Sequence, residues 1–260
     1  IADAKAEILE SASADTVLVV NADDARVMAR LSSFPGRRVT FGLDPTADVS
    51  AADVEDLGLK GTRARIVTAR GERELHVPLL GRGHLSNVLA AAAVALELDV
   101  DLDDIVLRAA ALQPSPRRGV VSRTPAGVTV IDDSYNSSPA ALKTALDVLA
   151  RSWAARRIAV VGEMLELGDL SVGLHEDCGR VAAASGLLRL VTIGGEAAQA
   201  LGRAAVAAGM AASTVSHFGS SAEAAEALAS QVTPGDLVLV KGSRGTRTDV
   251  VVDRLTAVSG

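Results

Sequence analysis

The chain has 260 residues, of which 48% are hydrophobic, 22% charged and 2% aromatic, and its formal net charge is −6. This balance excludes a disordered chain, and so few aromatic rings exclude a stacking platform for single-stranded nucleic acid. The negative charge is the wrong sign for a protein whose main partner is a phosphate backbone. The single cysteine, Cys178, cannot form an internal disulfide, so we expect a reducing cytoplasm and a small buried role for this residue.

The first ten residues read as the interior of an amphipathic helix that has no start signal. They contain no Met, no basic region and no apolar run of about 18 residues, so they predict neither a signal peptide nor a membrane span. We expect a fragment whose N-terminus lies upstream, with no membrane partner.

The first half of the chain alternates apolar strands with helices, which is typical of α/β architecture with mostly parallel strands. Arg70-Gly71 lies between two alternating segments and predicts a β-hairpin with one solvated face. Asn21 is the expected N-cap of the first helix after a strand. The predicted strands are 15–21, 38–42, 63–69 and 72–77, and the predicted helices are 22–31, 84–97 and 101–112.

A composition break at 113–119 contains two prolines in three residues, which forbid a continuing helix and suit a linker. We therefore predict a domain at 1–113, a linker at 114–119 and a second domain at 120–260. The second domain repeats βα units and predicts a doubly wound sheet, whose ligands lie beyond the carboxyl ends of the strands. Its predicted strands are 127–131, 157–161, 188–193, 213–218 and 236–240, and its predicted helices are 140–150, 174–184, 196–208, 222–231 and 246–255.

A polar run, Asp132–Pro139, follows the first of these strands and contains the only tyrosine, Tyr135. Adjacent carboxylates at a strand end can accept ribose hydroxyls or bind a metal through water, and the neighbouring side chains supply neutral hydrogen bonds. The alternative is helix capping by Ser137 or Ser138.

Two later loops also follow strands. The segment 162–169 carries two glutamates and is followed by His175, for which a surface or capping position is the ordinary alternative. The segment 241–247 offers glycines, hydroxyls and cations before a helix, which favours an anion cradle over a basic solvated loop. In the first half, His84, Asn87 and Lys5 support no function by spacing alone, although the Asn87 amide could read an adenine edge.

Taken in chain order, these segments resemble the Mur ligases, and within them the branch that adds D-alanyl-D-alanine. DDSYNSSP at 132–139 is similar to the family's DDSYNANP, VGEMLELG at 161–168 to LGDMLELG, and KGSRGTR at 241–247 to its closing KGSR loop. GHLSNVLAAA at 83–92 resembles GxHNxxNAxAA, and AKAEI at 4–8 and NADD at 21–24 resemble AKGEI and NxDD.

The resemblance implies a role for each matched residue. Lys5 falls on the lysine that is carbamylated to bind Mg²⁺, since a carbamate oxygen suits a hard cation where an ammonium would repel it. Arg118 matches the interdomain arginine that approaches the nucleotide phosphates. The remaining matches are Asn87 at the adenine, His84 as its motif partner, Asp133 at the ribose with Ser134 beside it, Tyr135 and Asn136 beside the reacting centre, and Ser243 and Arg244 in the loop facing the second substrate.

The fold implied by the resemblance is part of a central ATPase domain, a parallel sheet with a small hairpin, followed by a Rossmann-like C-terminal domain. The activity implied is an ATP- and Mg²⁺-dependent ligation of D-Ala-D-Ala to UDP-MurNAc-tripeptide through an acyl phosphate, performed by a cytoplasmic monomer. Leu85, Val120 and Glu163 depart from the family pattern. We expect the 260 residues alone to be inactive, because the family's glycine-rich phosphate loop lies upstream of the matched segments.

Two other functions remain open at the level of sequence. One is another amide ligase of the Mur or folylpolyglutamate type, and the other is a non-catalytic module that binds nucleotide or dipeptide. A dinucleotide-dependent oxidoreductase is excluded because no strand is followed by a Gly-x-Gly-x-x-Gly segment.

Overall fold

The computed structural model of the chain describes residues 6–257, and its backbone divides into two units, the first ending at Gln113 and the second beginning at Pro114. Lys5 lies outside the described residues. Across residues 6–257, every helix is too short or too polar to cross a membrane.

The first unit contains a five-stranded sheet in which the strands follow chain order. The first three strands pair in parallel, and the last three pair antiparallel as a meander. The strands are β1 (Val17–Asn21), β2 (Arg37–Gly42), β3 (Val49–Asp56), β4 (Thr62–Thr68) and β5 (Gly71–Val77). The helices are α1 (Ala25–Met28), α2 (Arg82–Glu97) and α3 (Leu102–Ala110).

Helix α2 packs on this sheet because its apolar residues recur at helical spacing. Buried residues at 85, 88, 89, 92, 93 and 96 form one face, which joins the inward residues of β2 to β5 in a single core. Helix α3 closes the same core through Leu102, Ile105 and Ala109. The predicted parallel sheet with a hairpin is confirmed for this unit.

Two local predictions for the first unit were wrong. Strand β3 was missed because its alanines and aspartates disfavour strands, and its pairing with β4 shifts register between Ala52 and Glu55. The N-cap was also misplaced, because the chain turns once more after β1. Asp24 accepts the Arg26 N–H and caps α1, whereas Asn21 accepts the Asp23 N–H within the turn.

The second unit contains a six-stranded sheet with the spatial order β10-β9-β8-β11-β7-β6. All neighbours are parallel except β6 and β7, which pair antiparallel at one edge. The strands are β6 (Val120–Arg123), β7 (Thr129–Asp133), β8 (Arg156–Gly162), β9 (Arg189–Ile193), β10 (Val215–Phe218) and β11 (Asp236–Lys241). The sequence prediction missed only the short edge strand β6.

Helices cover both faces of this sheet. They are α4 (Pro139–Arg151), α5 (Ser171–Ala184), α6 (Glu196–Ala207), α7 (Ser221–Ala229) and α8 (Asp249–Ala257). Alternate residues of the central strands, such as Val238 and Val240, share one core with α7 and α8, as expected for strands buried on both sides. The predicted doubly wound C-terminal fold is confirmed. Cys178 is fully buried, as predicted, and burial raises the pKa of its thiol.

The strand order decides where the site lies. Strand β11 is inserted between β7 and β8, so the carboxyl ends of these three strands are adjacent. The three loops that sequence analysis singled out in the second unit therefore begin side by side, at a topological switch point of the kind where α/β sheets bind ligands.

Candidate functional site

The loop after β7, residues 132–139, folds around its own side chains. Ser134 is buried and donates from its hydroxyl to Asp132 Oδ1 at 2.5 Å, while Asn136 Oδ1 accepts the Ser137 N–H. Ser138 is the N-cap of α4 and precedes Pro139 at its first turn, as one of the predicted alternatives held. The buried hydroxyl of Ser137 has no partner within residues 6–257, so the hydrogen bonding of this loop is incomplete in the part of the chain described.

A buried lysine joins this loop to the neighbouring strand. Lys241, the last residue of β11, is 3% exposed, and its Nζ donates to Asp133 Oδ2 at 2.6 Å and to the Asn136 carbonyl at 3.0 Å. The ammonium fixes the Asp133 carboxylate, the predicted ribose ligand, whose side chain keeps 25% of its surface exposed. The register Lys241↔Asp133 between β11 and β7 produces this contact.

The predicted phosphate arginine lies against the same loop. The Arg118 guanidinium stacks on the Tyr135 ring, with its central carbon 4.0 Å from the ring centroid. Two backbone hydrogen bonds hold the segment that carries it, from Gly119 N–H to the Asp132 carbonyl and from Tyr135 N–H to the Arg117 carbonyl. Arg118 and Tyr135, both exposed, are thus brought together at the end of β7.

The loop after β8 is held by buried polar contacts. His175 is fully buried; its Nε2 accepts the Met164 N–H at 2.9 Å, and its Nδ1 donates to the Ser171 carbonyl at 2.8 Å. The surface position that was the ordinary alternative for His175 is therefore excluded, since the ring supports the loop from inside. Glu163 accepts the Gly195 N–H at 2.5 Å and so places a carboxylate at the start of α6.

The loop after β11 contacts the loop after β8. Ser243 is buried and accepts the Leu165 N–H at 2.9 Å, whereas the neighbouring Arg244 is exposed. A Cβ at Gly162 would lie 2.6 Å from Thr246 Oγ1, so only glycine permits this close approach. The cation Arg244 therefore stands on a loop whose backbone is tightly packed.

A pocket of about 600 Å³ opens beside this loop. Its walls come from the carboxyl ends of β9 and β10 and from the turn before α8, and they are rich in glycine, hydroxyls and backbone N–H groups. Helices α6, α7 and α8 all begin at its rim, and Arg247 adds a side chain that is 68% exposed. The lining residues are Ile193, Gly194, Gly195, Gly219, Ser220, Ser221, Ala222, Gly245, Thr246, Arg247 and Val250.

The pocket has two electrostatic sides. The N-termini of α7 and α8 and the Arg247 guanidinium favour an anion. The Glu163 carboxylate, which accepts the Gly195 N–H at the start of α6, favours a cation on that side of the pocket. A small zwitterion fits this distribution of charge.

The predicted adenine residues belong to the first unit. His84 and Asn87 lie three residues apart at the start of α2 and so share one side of the helix, with Asn87 exposed and His84 half-buried. The Gly81 N-cap adopts φ +88°, which favours glycine.

No group of three or more His, Cys, Asp or Glu side chains within residues 6–257 is arranged to hold a metal ion. The predicted magnesium ligand, Lys5, lies outside these residues.

Sequence reasoning missed the burial of three charged side chains among the described residues, Asp236, Lys241 and Asp249. Each stands at the end of a run of apolar residues, in DLVLVK at 236–241 and DVVV at 249–252. Because such runs are buried, a charge at their end is expected to be buried as well. A charge at the end of an otherwise buried segment was the signal that could have found them.

The comparisons with known proteins agree in both units. The family described as "Mur ligase middle domain" matches residues 1–95, and the family described as "Mur ligase, glutamate ligase domain" matches residues 117–244. A Mycobacterium tuberculosis protein named UDP-N-acetylmuramoyl-tripeptide--D-alanyl-D-alanine ligase is 34% identical over 280 residues, covering 99% of this chain and 54% of that protein.

Solved structures give the same result. A crystal structure of MurF from Acinetobacter baumannii matches with a TM-score of 0.85 and 28% identity, over 98% of this chain and 55% of that one. MurF ligase from Thermotoga maritima in complex with ADP matches with a TM-score of 0.81 and 25% identity, over 98% and 56%. The chain thus spans about half the length of the relatives it matches.

Proposed function

The chain belongs to the Mur ligase family, and from this premise we propose that it is part of an ATP-dependent ligase that joins D-alanyl-D-alanine to UDP-MurNAc-tripeptide. The observation that supports this most is the convergence at one sheet edge of the Asp133–Lys241 pair and the Arg118–Tyr135 stack. The first unit would then be the C-terminal part of the central ATP-binding domain, 114–119 its linker, and 120–260 the C-terminal domain.

On the nucleotide side, Asp133 would accept ribose hydroxyls and Arg118 would neutralise phosphate charge. The residues fit such a ligand: Asp133 keeps an exposed edge, Ser137 offers a buried hydroxyl without a partner among the described residues, and Arg118 is exposed. Asn87 and His84 would contact the adenine from α2. ATP supplies the phosphoryl group that activates the tripeptide carboxylate.

On the acceptor side, the dipeptide would occupy the pocket beside α6, α7 and α8. Its carboxylate would lie at the N-termini of α7 and α8 and at Arg247, and its ammonium would lie toward Glu163 at the start of α6. Ser243 and Arg244 directly precede Gly245 of the pocket lining and would face the reacting amine, with Tyr135 and Asn136 after the neighbouring strand β7. Held there, the amine attacks the activated carbonyl carbon, a C–N bond forms, inorganic phosphate leaves and the amine loses a proton.

Most of the catalytic effect in this scheme is positioning and charge neutralisation. Within residues 6–257, no group of three or more His, Cys, Asp or Glu side chains is arranged to hold a metal ion. We propose that Lys5, when carbamylated, would bind Mg²⁺. We further propose that the protein acts in the cytoplasm, as a monomer, on small molecules alone.

Calorimetric titration of the chain with D-Ala-D-Ala tests the acceptor side. We expect saturable binding that is at least about tenfold weaker in Arg247→Gln, because a charge-assisted hydrogen bond contributes about 1.5–3 kcal/mol. L-Ala-L-Ala is the ligand control, and Arg180→Gln, an exposed arginine on α5, is the matched protein control. Equal binding of the two stereoisomers, or no binding of the D-isomer, would contradict the assignment.

A ligation assay of the protein to which the chain belongs tests the reaction itself. Phosphate release should require ATP, UDP-MurNAc-tripeptide and D-Ala-D-Ala together. Release that proceeds equally well with glutamate as the acceptor would favour the folylpolyglutamate-type alternative instead.

A further inference from the structure

One buried carboxylate connects the segment that carries Arg118 with the rim of the pocket. Asp249, in the first turn of α8, has a side chain only 7% exposed. Its Oδ2 lies 2.9 Å from Nη1 of Arg117, which precedes β6, and its Oδ1 accepts from Nε of Arg247 at 3.3 Å. Asp249 therefore binds two arginines from segments that are far apart in sequence.

Both arginines adopt an unusual backbone conformation. Two partners of Asp249 have positive φ, Arg117 at +62° and Arg247 at +54°. Within residues 6–257 the other non-glycine residues with positive φ are Asp53, Asp99 and Glu166. Left-handed backbone is unfavourable for a residue with a Cβ and persists only where the surroundings enforce it. Arg247 has this conformation as the cap of the turn Arg244–Thr246, where its N–H donates to the Arg244 carbonyl, and the shared carboxylate adds a side-chain contact at both arginines.

The conformation of Arg117 determines where Arg118 points. The Arg117 carbonyl accepts the Tyr135 N–H at 3.0 Å, and the Arg118 guanidinium then lies 4.0 Å above the Tyr135 ring. Arg118 itself is exposed, and its guanidinium is held against the surface of the unit by this ring stack.

We propose that Asp249 is a positioning residue for Arg118: its bridge between Arg117 and Arg247 holds the linker so that Arg118 stacks on Tyr135. The role of Arg118 toward phosphate rests on the proposed function, but the bridge and the stack do not. Asp249 also places the pocket arginine and the linker arginine on one carboxylate.

The single tyrosine of the chain provides a direct probe. In protein labelled with 3-fluorotyrosine, the ¹⁹F spectrum contains one resonance, from Tyr135, and Arg118→Met gives its position without the stack. We expect the resonance in Asp249→Asn to move most of the way from the wild-type position toward that of Arg118→Met. Glu226→Gln is the matched control, because it removes another carboxylate–arginine pair of α8, with Arg254 at 2.8 Å on the surface.

Asp249 is buried, so its replacement by Asn can prevent folding. Arg117→Gln breaks the same ion pair from its exposed partner, and its Tyr135 resonance is the second measurement. A Tyr135 resonance that stays at the wild-type position in Arg117→Gln and in folded Asp249→Asn would overturn the proposal. So would an Arg118→Met spectrum identical to wild type, since no stack would then exist to be positioned. These spectra contain no ligand, so a failure of dipeptide binding or ligation leaves their reading unchanged.

Discussion

Replacing Lys241 by methionine tests the buried ion pair at the centre of the candidate site. The side chain of Lys241 is 4% exposed, and the substitution keeps its length while removing the ammonium that contacts Asp133 and the Asn136 carbonyl. Removing one partner of a buried pair costs about 3–5 kcal/mol, because the other charge stays in a poorly solvated position.

We expect a smaller loss here, because a quarter of the Asp133 side chain is exposed and water can solvate it in part. A decrease of about 2–3 kcal/mol in the free energy of unfolding follows, or roughly 5–10 °C in melting temperature for a unit of this size. Urea denaturation followed by circular dichroism measures the loss. Arg180→Met is the matched control, since its ion pair with Asp177 lies on the surface of the same unit and should contribute less than about 1 kcal/mol.

A double-mutant cycle separates the pair from other effects of the substitution. Asp133→Asn combined with Lys241→Met removes both charges, so the double variant should be more stable than the sum of the single losses predicts, by about 1 kcal/mol or more. A single variant Lys241→Met within about 0.5 kcal/mol of wild type would refute the reasoning, because the ammonium would then not be stabilising the loop.

Three further predictions follow from other parts of the second unit. Gly162→Ala should destabilise the protein by about 1–3 kcal/mol in the same urea denaturation, because its Cβ would lie 2.6 Å from atoms of the loop after β11. Gly173→Ala, in open space on α5, is the control and should be neutral or stabilising. Burial, and then the charge of Arg203, lowers the pKa of His217 from its ordinary 6.5. The neutral imidazole therefore favours the folded state above pH 6.5, and this contribution to stability is lost as the pH falls below that value. His217→Gln should make the melting temperature less dependent on pH below neutrality. Cys178 should react with a thiol reagent only at the rate of opening, so a fast native reaction would contradict its burial and raised pKa.

Apolar periodicity predicted most elements because it reflects burial directly. The helix at Arg82–Glu97 and the strand at Asp236–Lys241 could be read from their residues, since one carries a continuous apolar face and the other is buried on both sides. Strand Val49–Asp56 could not, because its stability comes from pairing with two neighbours instead of from its own composition.

The candidate site was predictable in part. The polar loops after β7, β8 and β11 were found because ligands lie at the carboxyl ends of parallel strands. The partners within the site were not found: nothing in the local sequence indicates that Arg118 stacks on Tyr135, or that His175 supports the loop after β8 from a buried position.

The sequence by itself determined the α/β class, the break near Gln113 and the segments that carry polar chemistry, because these depend on local composition and spacing. Only the tertiary structure decided which segments meet. Strand β11 comes last along the chain but lies between β7 and β8, and this long-range pairing places Lys241 against Asp133, 108 residues away. Strand order is set by packing across the whole sheet, so no local pattern encodes it.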